Sequence, residues 1–212
     1  MYDAAFFDTI RAGCQASAAV VVPLVLDHFH PYTVLDVGCG EGWWATAFAE
    51  LGGCEVIGMD YPNDTTARLL GGRFLPVDLA HASFSQLARV DLAVALEVAE
   101  HLPPGRADSF VEDLCVVAPV VLFSAAIPGQ GGTGHVNEQW PAYWVEKFRA
   151  NGYAVSGALR WHIWGDDRVE NWYRQNLLFA TRFPQNFPGL FATPLAEPWP
   201  VVHPVLFDAR RR

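Results

Sequence analysis

A chain of 212 residues, 51% of them hydrophobic, can bury one sizeable core, which excludes a disordered polypeptide and fits a single α/β domain with additions. The formal net charge of −9 excludes a surface built to follow a phosphate backbone, since that affinity rests on clustered Lys and Arg, and the one basic run, 210–212, reads as a tail. Cys14, Cys39, Cys54 and Cys115 form no C-x-x-C pair, no secretory pattern precedes the first helix, and the longest apolar runs fall short of the ~20 residues that span a bilayer, so a cytoplasmic chain without nucleic-acid or membrane partners is expected.

In chain order, residues 1–29 read as one or two helices with a break or kink near Pro23. Residues 33–42, TVLDVGCGEG, are a β-branched run ending in three alternate glycines: a buried strand feeding a turn where a ligand can approach the backbone. From Trp43 the chain suits a helix whose first N–H groups point back at that ligand. Asp36 and Glu41 would repel a pyrophosphate, and the spacing is not the G-x-G-x-x-G of dinucleotide oxidoreductases, so a zwitterionic or cationic ligand is expected. Residues 54–60 form a second strand ending in Asp60, about 20 positions past the glycine turn, where an acid can accept both hydroxyls of a ribose or simply begin a turn.

Residues 73–79 read as a short third strand, followed by a helical stretch at 84–89. A fourth strand, 90–96, ends in Glu97, Glu100 and His101, which face one way if the chain turns helically there. A helix at 107–117 leads to a fifth strand within 119–129. The glycine-rich loop 129–137 then carries His135 toward the strand ends. Residues 138–151 are helical from Pro141 onward, and 153–164 with 172–181 read as a terminal hairpin. The proline-rich tail 182–212 should wrap the surface or meet a second subunit.

Residues 34–42 resemble motif I of the class I S-adenosylmethionine (SAM)-dependent methyltransferases, hydrophobic-Asp-hydrophobic-Gly-x-Gly-x-Gly. The resemblance spans residues 30–181. It implies an α/β, doubly wound, seven-stranded sheet of order 3-2-1-4-5-7-6 with the last strand antiparallel, as one domain: helical cap 1–29, SAM-binding core 30–181 and tail 182–212. Within it Asp36, Gly38, Cys39 and Gly40 match motif I, Asp60 with Tyr61 the ribose position, Asp78 and Leu79 the adenine edge, and Glu97 the position after strand four. In the family, helices before motif I cap the site; packing on the sheet edge is the other reading of residues 2–17.

Methyl transfer is an in-line displacement that needs an aligned acceptor and a proton acceptor, for which His101 and His135 are the candidates. His28, His30 and His162 read as surface or packing residues. Glu97, Glu100, His101 and His135 also form an E-x-x-E-H plus distant H set that resembles the divalent-metal site of the small-RNA 2′-O-methyltransferases. Such donors suit Mn, Fe, Co or Zn better than Mg. Trp140, Tyr143, Trp144, Trp161 and Trp164 suggest a small, partly apolar acceptor. The expected function is O-methylation of a small molecule by a monomer or homodimer; N- or C-methylation and a non-catalytic SAM-binding module are the alternatives.

Overall fold

The computed structural model describes residues 4–62, 66 and 69–209, with side chains from residue 11 onward. Seven strands form one sheet: β1 (Thr33–Val37), β2 (Glu55–Asp60), β3 (Phe74–Pro76), β4 (Leu92–Leu96), β5 (Val120–Ser124), β6 (Ala154–Ser156) and β7 (Leu178–Thr181). Their order is β3-β2-β1-β4-β5-β7-β6, with β7 antiparallel to both neighbours, which is the expected doubly wound topology.

The central strands are mostly apolar because helices cover both faces, with Asp36 of β1 and Ser124 of β5 the buried polar exceptions. On one face Val34, Val56, Leu92, Val94, Leu122 and Phe179 meet residues of α1 (Ala4–Leu26) and α2 (Trp43–Gly52). On the other, Leu35, Val37, Ala93, Ala95, Val121 and Phe123 meet Phe110 and Val111 of α3 (Ala107–Val117) and Trp144 and Phe148 of α4 (Pro141–Ala150). Successive strand residues alternate between the two cores, as the two-residue period of the pleat requires.

Three local expectations are corrected. Pro23 does not break the first segment: α1 is one helix through Leu26, because Pro23 lies exposed in the last turn while Val21, Val22 and Val25 are buried around it. Residues 84–89 are not helical. The buried Arg106 guanidinium takes the carbonyls of Leu79 and Ala82, Asp113 takes the Phe84 amide, and these tertiary bonds replace a helical ladder.

The third correction is that 153–181 is no simple hairpin. Only Ala154–Ser156 pairs with β7, and α5 (Ala158–Ile163) and α6 (Asn171–Asn176) intervene. Arg160, fully buried on α5, explains why: its guanidinium donates to the carbonyls of Gln175 and Trp199, which only a helical placement brings within reach. The tail wraps its own chain. Besides Arg160 on Trp199, Gln175 donates to the Val201 carbonyl and the buried His203 bonds the Trp164 carbonyl, beyond the short helix α7 (Pro188–Phe191) and before α8 (Pro204–Ala209).

Candidate active site

The site begins at the end of β1. Val37 pairs with Met59 of β2, and the amides of Gly38 and Cys39 both donate to the Met59 carbonyl at 2.7 and 3.1 Å, so the glycine turn is stitched to the end of the neighbouring strand. Gly38 sits at φ 73, and a Cβ there would come within 2.4 Å of Val98, so only glycine fits. The next residue of β2 is Asp60, whose Oδ2 accepts the Gly40 amide at 2.6 Å and whose Oδ1 accepts the Tyr61 amide at 2.5 Å. Burial pushes the Asp60 carboxyl up from its ordinary range, while those two amides hold it down. Strand pairing thus delivers the expected acid to the glycine turn, with lone pairs to spare on each oxygen.

Asp36 does not reach the cavity, a correction to its expected contact with the ligand. The pleat turns it toward α2, where its Oδ2 accepts the Ala45 amide at 3.1 Å in the first helical turn. Full burial pushes its carboxyl up to about 7. Glu41 is neutralised by Arg11 of α1, whose guanidinium bonds both carboxylate oxygens at 2.9 and 2.7 Å, with the Trp43 indole donating as well. That guanidinium holds the Glu41 carboxyl below its usual range and straps α1 across the turn.

A cavity of about 650 Å³ opens here. It is lined by Gly38, Cys39, Gly40, Asp60, Tyr61, Asp78 and Leu79, which brings together most of the expected cofactor set. Glu97, Glu100, His101 and His135 line the same cavity. Glu97, Glu100 and His101 do not share one helical face, contrary to expectation. Glu97 is the one non-glycine residue at positive φ among those described, at φ 56, and the short 3-10 turn Ala99–His101 follows it. Its carboxylate is held apart by amides: Gln130 donates to Oε2 at 2.9 Å and Asn176 to Oε1 at 3.0 Å.

Glu100, His101 and His135 do converge, each offering one donor atom within 4.8 Å of the others, and the two imidazole rings are 4.7 Å apart, edge to face. Glu97 is outside this group. Glu100 is fully buried and neither carboxylate oxygen has a hydrogen-bond partner; burial, then the neighbouring Glu97 charge, pushes its carboxyl well up. Burial, then His135, pushes the His101 imidazole down to about 4, so it is neutral at physiological pH. His135 is brought over by the loop 129–137, whose end is tied down where the Val136 and Asn137 amides donate to the Glu100 carbonyl at 2.9 and 3.0 Å. The cluster therefore sets two imidazoles, that of His101 neutral, beside a buried acid, an arrangement that can accept a proton or ligate a cation.

The aromatic wall is not the expected one. Trp144 is core, packed on Phe123, Trp140 is exposed, and Tyr143, Trp161 and Trp164 lie outside the cavity lining. Trp43, Trp44, Trp172 and Tyr173 line it instead. Tyr173 is buried, its hydroxyl taking the Trp44 indole N–H at 3.3 Å and lying 3.5 Å from the Cys14 thiol. Gln130, Asn176 and Glu138 were also missed. Only Glu138 carried a signal, standing three residues after His135 at the close of a glycine loop. His28, His30 and His162 are exposed, as expected.

Residues 12–108 match the family model described as a methyltransferase domain. No curated protein matches the chain by sequence. Among solved structures the fold is similar to magnesium protoporphyrin IX methyltransferase from Synechocystis PCC 6803 with bound S-adenosylhomocysteine (SAH), with 22% identity, TM-score 0.60, and 86% of this chain and 88% of that one covered. It is also similar to DesVI of Streptomyces venezuelae (16%, TM-score 0.61, 85% and 99%) and to the methyltransferase domain of a bacterial Hen1 (17%, TM-score 0.56, 79% and 98%). The sheet order and these likenesses give the chain the fold of the class I SAM-dependent methyltransferases, and residues 12–108 carry the methyltransferase-domain match.

Proposed function

We propose that the enzyme methylates an oxygen of a small, partly apolar molecule seated against Glu100, His101 and His135. The observation that carries this reading is the single cavity lined both by the glycine turn with Asp60 and by that cluster, with apolar wall from Trp43, Trp44, Leu96, Trp172 and Tyr173. In this reading Gly38, Cys39 and Gly40 border SAM, Asp60 accepts the ribose hydroxyls beside Tyr61, and Asp78 and Leu79 edge the adenine. Glu97, pinned by Gln130 and Asn176, presents a fixed carboxylate to the same cavity. Trp172 and Tyr173 of α6 exclude water from the acceptor's apolar face. The small-molecule acceptor named for the Synechocystis relative agrees with this, as does the acidic surface, which opposes an RNA acceptor.

A divalent ion fits the residues present. The buried Glu100 oxygens make no hydrogen bond of full geometry within the protein, and one carboxylate with two imidazoles is a donor set that suits Mn, Fe, Co or Zn better than Mg. Glu100, His101 and His135 would hold it, with Glu97 engaged elsewhere. When bound, such an ion lowers the pKa of a hydroxyl acceptor and orients it. Without an ion, His101 or His135 takes the acceptor's proton directly, since a neutral imidazole is a competent base.

The test is methyl transfer from isotopically labelled SAM to a panel of phenols, catechols, alcohols and amines, with metal analysis of the purified protein and assays before and after chelation. Oxygen methylation lost on chelation and restored by Mn or Co supports the metal-assisted form. Chelator-insensitive turnover with no bound ion leaves the histidine base. Methylation of amines alone, or SAM binding without turnover on any acceptor, contradicts the proposal. His135→Asn should lower turnover by about 10²-fold or more where His135 ligates the ion or serves as the base, and His101→Asn should do so where His101 is the base.

A further inference from the structure

Glu138 lies just outside the cavity lining, yet its carboxylate organises the loop that carries His135. Oε2 accepts the Gly129 amide at 2.7 Å, and Oε1 accepts the Gly131 amide at 2.6 Å and lies 2.9 Å from His135 Nδ1. The His135 and Glu138 side chains are 11% and 20% exposed, so the contact is largely shielded from water. A carboxylate only accepts hydrogen bonds, so the proton in this contact belongs to Nδ1, and in a neutral ring Nε2 is then bare. Gly132 keeps that nitrogen uncovered, because a Cβ at Gly132 would stand 2.3 Å from His135 Nε2. His101 follows the same rule more loosely: its Nδ1 is 3.4 Å from the Gly134 carbonyl, also an acceptor, on the same loop.

We infer that Glu138 is a positioning residue that closes the 129–137 loop and fixes His135 as the Nδ1–H tautomer, leaving Nε2 as the nitrogen available for the proton or ion of the reaction. The inference rests on the reading that His135 serves the acceptor end. One acidic side chain then performs two tasks. It replaces the loop's missing internal ladder with two backbone bonds, and it decides which imidazole nitrogen is usable. The glycines at 129, 131 and 132 are what let the chain wrap so closely around one carboxylate, with φ 82, 68 and 158.

The experiment is 15N NMR of histidine-labelled protein at pH 8 in the presence of chelator, with His135 assigned by the peaks lost in His135→Asn. The expected result is a pyrrole-type Nδ1 and a pyridine-type Nε2 at His135 in the native protein. In Glu138→Ala the Nδ1–H form becomes the minority while SAM affinity by calorimetry changes by less than roughly twofold, which shows that the fold and cofactor half survive. A native His135 already in the Nε2–H form, or a tautomer unmoved in Glu138→Ala, overturns the inference, and the second result reduces Glu138 to a loop brace. If Glu138→Ala abolishes SAM binding, Glu138→Gln replaces it, since that variant keeps the shape and one acceptor oxygen; an unmoved tautomer together with unmoved Gly129 and Gly131 amide shifts there also overturns it. No acceptor or metal enters the measurement. His135→Asn retaining full methyl transfer would instead sink that role of His135 and leave the tautomer result standing.

Discussion

Asp60 holds one backbone amide on each carboxylate oxygen and keeps further lone pairs for a ligand, so on the proposed reading its removal strips SAM of a charged acceptor for two hydroxyls. Asp60→Ala should weaken SAM binding by ~1.5 to 3 kcal/mol, roughly 10- to 150-fold, by calorimetric titration; unchanged affinity would place the ribose elsewhere. Asp60 was legible because strand, spacing and acid coincide in the sequence. Asp36, equally conspicuous there, was misread, because the pleat that buries Leu35 and Val37 on one face sends Asp36 to the other, under α2.

The Asp36 carboxyl makes its own prediction. Its folded pKa, about 7, lies above the unfolded value near 3.8, so between those limits the native state binds the extra proton and stability from this group falls as pH rises. Asp36→Asn keeps an oxygen for the Ala45 amide and has no charge to bury. Its stability relative to the native protein should therefore climb from pH 4 to pH 7, by at most about 1.4 kcal/mol per pH unit. Urea unfolding at pH 4.5 and 7.5 reads this, and a pH-independent difference would contradict it.

At the scale of elements, the glycine turn is the piece least able to change. Gly38→Ala puts a Cβ at φ 73 within 2.4 Å of Val98, so a loss of at least ~1 kcal/mol of stability and weaker SAM binding are expected in thermal melts and titration. Helix α1 behaves differently. The Arg11 side chain is 40% exposed, so its pair with Glu41 adds only about 0 to 1 kcal/mol to global stability. Arg11→Ala should leave the melting temperature nearly unchanged yet speed amide exchange in α1, because the pair fastens that helix across the turn; unaltered exchange would show that core packing alone holds it. The strands β1, β2, β4 and β5 could be read from the sequence because most residues on both faces are apolar. Residues 84–89 and 158–176 could not, since Arg106 and Arg160 fix those segments through carbonyls distant in the chain.

For the whole molecule, the alternation of strands and helices was enough to foresee a doubly wound sheet, because right-handed crossovers leave few ways to cover both faces of a parallel sheet, while the strand order came from the motif I resemblance. The composition of the acceptor wall was not. Trp44, Trp172 and Tyr173 come together from α2 and α6, more than a hundred residues apart, and no local pattern marks them. Among the described residues no helix is long and apolar enough to cross a membrane. On the proposed reading one cavity holds SAM at Asp60 and the acceptor at Glu100, His101 and His135. A crystal structure of the SAH complex tests it most directly. Both ribose hydroxyls are expected on Asp60, with the sulfur facing Glu100, His101 and His135. A ribose bound away from Asp60, or a sulfur turned from the two histidines, would contradict it.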